Sequence, residues 1–312
     1  MSDNRKLIVG LGELLWDLLP DGKQLGGAPA NFAVMSARLG NHGAIASSIG
    51  RDSLGNETLT TLASLPVDIS YLQTDEGHPT GSVSVTLKDG QPEYVIHRPV
   101  AWDFMQQTSQ WKNLAQRADA VCFGTLAQRD EASRATIQSF LAATGERCVR
   151  VFDVNLRSPF YSGSIIRESL HRATLVKLNE IEMPIVMSLL GIRENAGSDE
   201  TSLLQCARLL LDMFPPQLIC ITMGSQGSLL VNRTEHHRHH GIKTKIADTV
   251  GAGDAFTAAL VRGYLQNEPL AVLNESGNRW GSWVASQHGA MPALSNETQV
   301  EIEDRIRREQ EQ

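Results

Sequence analysis

The sequence predicts an α/β fold, a mostly parallel sheet covered by helices with a small β element set into it. Three observations predict it. Short apolar runs such as Leu7–Leu11 are flanked by charge and glycine, as in strands buried on both faces. Strand-like and helix-like stretches alternate three times in succession between residues 120 and 190. One stretch near residues 80–100 breaks that rhythm with the period-2 pattern of a hairpin.

In chain order, Leu7–Leu11 opens the sheet. After Gly26-Gly27, the segment Pro29–Leu39 supplies good helix formers and stops at Gly40. Ala44–Ile49 reads as strand and Leu54–Leu65 as helix. Gly81–Leu87 alternates small or polar residues with Val83, Val85 and Leu87, turns at Asp89-Gly90 and resumes extended structure at Tyr94–His97, a hairpin suited to a lid. From Ala120 come ADAVCFG and a helix to Ala143, CVRVFDVN and a helix through Leu170, then ATLVKLN and EIEMPIVMSLLG. Ser202–Met213 is helical, Gln217–Thr222 is a strand, and Gly227–Val231 adds an antiparallel strand beyond the turn at Gly224. Helices are expected over Asp254–Leu265 and Arg279–His288, followed by a charged tail on the surface. No repeat or low-complexity linker divides the chain, so residues 1–312 are expected to form one domain with lid segments at about residues 14–27 and 80–102.

Composition narrows the function. Of 312 residues, 41% are apolar and 20% charged, which excludes a disordered chain. With 28 basic and 35 acidic residues the net charge is -7, which disfavours binding a polynucleotide. Cys122, Cys148, Cys206 and Cys220 are far apart with no zinc spacing, so disulfides are not expected. Neither a signal-peptide pattern nor a run of about 18 apolar residues is present, so the expectation is a cytoplasmic protein without a membrane partner. His236, His237, His239 and His240 alternate with Arg238 and read as a solvated surface.

The stretch most informative about chemistry is Asp248–Phe256, DTVGAGDAF, a Gly-Ala-Gly loop directly before a helix. Gly251 and Gly253 permit close backbone approach, and first-turn N–H groups with the helix dipole stabilise an anion. Asp254 on that first turn either takes a proton from a substrate hydroxyl or caps the helix. No GxxxxGK[ST] phosphate loop occurs, and GLGELL places Leu15 where a dinucleotide fingerprint needs its third glycine.

DTVGAGD, together with GELLWDLLP and GGAPANFAVMSARLG, resembles the PfkB, or ribokinase-like, carbohydrate kinases, and among them the bacterial fructokinases. The resemblance runs from about residue 6 to residue 294. It implies a ribokinase-like three-layer α/β domain with a central mostly parallel sheet and a small β lid. It also implies ATP-dependent phosphorylation of a primary sugar hydroxyl, best fitted by D-fructose giving fructose 6-phosphate. A 2-keto-3-deoxygluconate kinase, a ribonucleoside kinase and a catalytically inactive sugar-binding protein are the alternatives.

On this resemblance Asp254 is the base and Gly251, Ala252 and Gly253 form the anion hole. Asp17, Gly27 and Asn31 meet the sugar, although taken without the resemblance Asp17 reads rather as a turn residue and Asn31 as a helix cap. Arg98 matches the lid-side arginine. Asp153, Asn155 and Arg157 match DxNxR, with alternation placing Asp153 and Asn155 on one face and Arg157 contacting substrate or pairing with Asp153. Asn179 and Glu182 match NxxE in a Mg2+ and phosphate network, reached in part through water, and rank above Lys177. Thr222, Gly224, Gly227 and Asn278 border the nucleotide. Asp248 and the Val250 carbonyl match one wall of a K+ site. Arg51, Asp52 and Gly55 in GRDSLG, and Glu13, read as structural. The implied partners are a small sugar and ATP, with a homodimer through the lid sheet as one possible assembly.

Overall fold

The computed structural model describes residues 5–19, 22–88 and 91–310. The expected turn at Asp89 and Gly90 lies outside them. The chain opens with β1 (Leu7–Leu11), followed by β2 (Leu15–Leu19), β3 (Gly22–Gly26) and α1 (Ala28–Arg38). Next come β4 (His42–Gly50), α2 (Ser53–Ala63), β5 (Leu72–Asp75), β6 (Gly81–Lys88) and β7 (Gln91–Ile96). The repeated units are α3 (Ser109–Arg117), β8 (Ala120–Phe123), α4 (Glu131–Ala143), β9 (Val149–Asp153), α5 (Gly163–Arg172), β10 (Leu175–Asn179) and α6 (Glu182–Leu189). α7 (Glu200–Met213), β11 (Leu218–Thr222), β12 (Ser228–Asn232), β13 (His236–His239), α8 (Ala252–Leu265), α9 (Leu270–Ala285) and α10 (Asn296–Gln310) complete the chain.

Nine strands form the large sheet in the order β13-β12-β11-β10-β9-β8-β1-β4-β5. From β11 to β5 every neighbour is parallel, while β12 and β13 run antiparallel at one edge. Strand periodicity sorts the side chains between two cores. Leu7, Val9 and Leu11 of β1, with Ile219 and Ile221 of β11, enter the core that also holds Ile137, Ile166 and Leu210 from α4, α5 and α7. Ile8, Leu218 and Cys220 enter the opposite one, with Phe32 of α1, Phe256 of α8 and Trp280 of α9. Helices therefore cover both faces, which is why these strands are apolar throughout. Parallel pairing sets the carboxyl ends of β1, β8, β9, β10 and β11 along one edge, where an open α/β sheet presents its ligand crevice.

The second sheet has four strands in the order β3-β2-β6-β7. β2 with β3 and β6 with β7 are antiparallel hairpins, joined by parallel pairing of β2 with β6. The expected lid segments thus form one sheet, of which the sequence showed the second hairpin as strands but not the first. At the base of this lid, Asp52 caps α2 by accepting from the Gly55 amide at 2.7 Å. Its other oxygen accepts from the Thr80 amide at 2.7 Å, just ahead of β6. Trp102 belongs to the core: it is fully buried, with the Arg129 guanidinium 4.0 Å from its ring centre.

Two expectations change. The last long helix before the tail begins at Leu270 rather than Arg279. The histidine run is not a uniformly solvated surface: it forms β13, and His239 Nε2 lies 2.7 Å from Glu275 of α9. Strand alternation turns His237 and His239 towards that helix, where Asn274 donates to the His237 carbonyl at 2.9 Å. Among the described residues no helix is long and apolar enough to cross a membrane.

Candidate active site

The Gly-Ala-Gly loop leads straight into α8. Gly251 adopts φ +78°, and a Cβ there would meet the Ala290 Cα at 2.7 Å, so the position requires both left-handed geometry and the absence of a side chain. Gly253 lies in the first turn, and a Cβ on it would come 3.0 Å from Lys177 Nζ. First-turn N–H groups lack intrahelical acceptors, so this end of α8 offers donors and a positive dipole to an anion.

Asp254 follows immediately. Asn31 Nδ2 donates to Asp254 Oδ2 at 2.7 Å, joining positions 223 residues apart in the chain. Asn31 is positioned by α1, whose Gly27 carbonyl accepts from the Asn31 amide at 2.9 Å. Its own Oδ1 is buried without a partner among the described residues. Burial raises the Asp254 pKa above the ordinary carboxylate value; the Lys177 charge, the Asn31 bond and the Arg157 charge work against that rise.

Beneath this pair, β9 and β10 place Asp153 and Lys177 side by side in register. Lys177 Nζ lies 3.1 and 3.2 Å from the two Asp153 oxygens, and both residues are buried. Burial pushes the Asp153 carboxyl up to about 6, with Lys177 opposing and Asp254 and Glu182 adding to the rise. For Lys177, burial alone would favour the neutral amine, but Asp153, Glu182 and Asp254 hold it protonated. Asp153 therefore pairs with Lys177, not with Arg157. Strand β9 ends at Asp153, and Asn155 takes φ +40°, so the expected shared face of Asp153 and Asn155 does not form. A charged residue inside an apolar run such as LVKLN needs a buried partner, and that was the signal for Lys177.

On the lid side, Asp17 is half-buried on β2, and burial raises its pKa against the Arg157 charge. Gly27, at φ +114°, packs so tightly on the preceding loop that a Cβ would lie 2.4 Å from the Glu13 carbonyl oxygen. Glu13 is buried with Oε2 unpartnered among the described residues. Burial pushes its carboxyl up to about 7; its own backbone bond and Arg157 oppose this, while Asp254 and Asp153 reinforce it. Arg157 itself is exposed, yet its charge reaches Asp17, Glu13 and Asp254 alike. Arg98 is exposed elsewhere, on a groove of ≈ 680 Å³ lined also by Arg129, Arg134 and Tyr161 but by none of Asp17, Asn31 or Asp254.

The residues expected on the nucleotide side serve first as braces. Asn179 Oδ1 accepts from the Ile181 and Glu182 amides, and Glu182 Oε2 accepts from the Asn179 amide, a reciprocal cap at the start of α6. Glu182 Oε1 accepts from the Leu156 amide at 2.8 Å. Each Glu182 oxygen thus accepts one backbone N–H in a buried setting, which fits the expected reach to Mg2+ through water better than direct ligation. Among the described residues no group of three His, Cys, Asp or Glu side chains is arranged around a metal position. Asp248 likewise accepts from the Val250 amide at 3.0 Å and the Gly289 amide at 3.1 Å, tying together the loops on either side of α8 and α9, while the Val250 side chain is exposed. Thr222 ends β11 half-exposed, and Gly224 is exposed beyond it. Gly227, at φ +91°, leaves no room for a Cβ, which would lie 2.0 Å from the His239 carbonyl oxygen. Asn278 is buried and donates to Ser228 Oγ and the Asn274 carbonyl, each at 2.7 Å.

Residues 21–297 match the model of the pfkB family carbohydrate kinase. The chain is 30% identical over 321 residues to the fructokinase of Escherichia coli, covering 94% of this chain and 97% of that one. A fructokinase from Vibrio cholerae, solved with fructose, ADP and calcium ion, superposes with a TM-score of 0.78 at 27% identity, over 96% of this chain and 98% of the other. A Pyrococcus horikoshii sugar kinase solved with ATP gives a TM-score of 0.76 at 29% identity, over 91% and 94%.

Proposed function

The chain belongs to the pfkB family of carbohydrate kinases, and from that premise we propose that it transfers the γ-phosphoryl group of ATP to a primary hydroxyl of D-fructose, giving fructose 6-phosphate. The observation that carries this reading is the 2.7 Å bond from Asn31 to Asp254, which joins a polyol-binding amide to a carboxylate on the first turn of an anion-binding helix. The solved Vibrio cholerae relative with fructose and the Pyrococcus horikoshii relative with ATP supply the substrate classes.

In this reading Asp17 accepts paired sugar hydroxyls, the Gly27 backbone packs the sugar, and Asn31 Oδ1 accepts a further O–H. Asn31 Nδ2 fixes one oxygen of Asp254 and leaves the other for the reacting hydroxyl. As that hydroxyl oxygen bonds to the γ-phosphorus, the bond from phosphorus to the β–γ bridging oxygen breaks and ADP leaves with the electron pair. The hydroxyl proton passes to Asp254, which later returns it to solvent. The N–H groups of Gly251, Ala252 and Gly253 stabilise charge on the transferring group. Thr222, Gly224, Gly227 and Asn278 shape the nucleotide side, and Arg157 adds positive charge over the sugar. Mg2+ supplies charge neutralisation as part of the ATP complex, with Asn179 and Glu182 shaping the loops around it. Asp248 and the Val250 carbonyl would form one wall of a K+ site. Residues 1–312 act as one catalytic domain closed by the small sheet, in the cytoplasm.

The test is product analysis with ATP against fructose, 2-keto-3-deoxygluconate and a ribonucleoside. Fructose 6-phosphate as the dominant product supports the reading. Preference for either competitor overturns the sugar assignment, and tight sugar binding without ADP formation overturns the kinase. Replacing K+ with Na+ in the same assay should lower turnover; equal rates would remove Asp248 and Val250 from the monovalent-ion role.

A further inference from the structure

A lysine in the middle of a buried strand has to repay its desolvation, and Lys177 does so with an unusual location. Three groups surround its ammonium. Asp153 clamps it with both carboxylate oxygens at 3.1 and 3.2 Å. It rests against the Gly253 backbone, where an added Cβ would fall 3.0 Å from Nζ. It also lies within charge range of Asp254, on the next residue of the same helical turn. Among the described residues its hydrogen-bond acceptor is the Asp153 carboxylate.

We propose that Lys177 is a positioning residue of the transfer step, whose ammonium, clamped by Asp153 beneath the Gly251–Gly253 loop, supplies the fixed positive charge facing both Asp254 and the anion bound by that loop. The need is clear from the groups around Asp254. Asp153 from β9 and Glu13 from the loop after β1 are acidic; Asn31 from α1 is neutral; Arg157, from the loop after β9, is exposed. Lys177 is the buried cation of this set, and it does not depend on lid position. Asp153 acts through it: two carboxylate contacts hold the end of the flexible four-carbon stem in one place.

This inference rests on the kinase reading for its kinetic arm and on geometry alone for its titration arm. In Lys177→Met the acid limb of the kcat profile should move to higher pH by about one unit, because an opposite charge near a carboxylate favours ionisation. Turnover at neutral pH should fall about tenfold and recover partly as pH rises, with KM for ATP and sugar changing less than about threefold. Lys177→Arg should keep the limb near its original position. An unmoved limb, or equal loss at every pH, overturns the proposal. Because Lys177→Met leaves Asp153 buried and unpaired, the double variant Lys177→Met/Asp153→Asn provides a variant without that lone charge. In it, direct NMR titration of the Asp254 carboxyl without substrate should show the same upward movement relative to Asp153→Asn alone. No movement there overturns the proposal whatever the enzyme phosphorylates, whereas movement in a protein that phosphorylates no sugar would overturn the kinase reading instead.

Discussion

The two sheets follow different physical rules. In the large sheet every residue of β1 and β8 is buried, and the charged groups at its carboxyl edge are paired inside the protein: Lys177 with Asp153, Asn31 with Asp254. In the small sheet, β2 is buried only over Leu15 and Trp16, and β3 is exposed or half-buried until Gly26. These pairings are therefore in place without a ligand, as electrostatic preorganisation of the proposed transfer step requires. In the small sheet's first hairpin burial is confined to Leu15, Trp16 and Gly26, and in the proposed reading this hairpin contributes Asp17 to the sugar side. Phosphoryl transfer should accordingly answer to changes in the first region and sugar affinity to changes in the second.

The sharpest way to break this division is Asp254→Asn. The amide can still accept from Asn31, so the pocket keeps its shape while the proton acceptor is lost. Turnover should fall about 10³-fold, within the range of general-base effects, while calorimetric affinities for ATP and sugar stay within a few-fold. Near-parental turnover in the purified variant would remove Asp254 from its role. A large loss of sugar affinity would show instead that the two regions are not separable.

Glu13 lies where the regions meet, and it offers a stability test. Its carboxyl is held up at about 7 by burial, so between the ordinary value of 4.5 and about 7 the folded protein binds a proton that the unfolded chain releases. Stability must therefore fall as pH rises through that window. Glu13→Gln cannot ionise and escapes the fall. It should match the parent near pH 4 and exceed it by about 3 kcal/mol at pH 8, from 1.36 kcal/mol per pKa unit. Denaturant titrations at the two pH values measure this. A pH-independent difference would mean that Glu13 finds a partner for its charge.

How far the sequence reveals these regions depends on which force acts. The parallel units were legible because burial on both faces leaves uninterrupted apolar runs. The first lid hairpin was not, because LWDLL buries only part of its length and shows no clean alternation. The sequence sets the start of helix α9 nine residues too late, since Asn274, Ser276 and Gly277 are weak helix formers, and Gly281 is another within the expected span. Those glycines serve tertiary packing: a Cβ on Gly277 would lie 2.7 Å from the Phe256 ring, and one on Gly281 3.1 Å from the Ala252 carbonyl oxygen. Close contact with α8 overrides propensity there. In the site, the motif residues were readable one by one, but the Asn31–Asp254 bond spans 223 residues and no local pattern encodes it.

The smallest effect belongs to the lid base, where Asp52 bridges α2 and the start of β6. Burial raises its pKa, but the bonds from Thr80 and Gly55 outweigh this and leave it below the ordinary carboxylate value. Its stabilisation is thus present at neutral pH and lost as pH falls through that depressed value. Asp52→Ala removes a helix cap worth about 1 kcal/mol together with the tie to Thr80. A looser lid base should raise KM for the sugar about threefold and leave kcat nearly unchanged, because Asn31, Asp254, Lys177 and the anion loop all stand on the large sheet and its helices. If kcat falls as much as affinity, the small sheet takes part in aligning the reacting atoms, and the division of labour between the two sheets fails at its hinge.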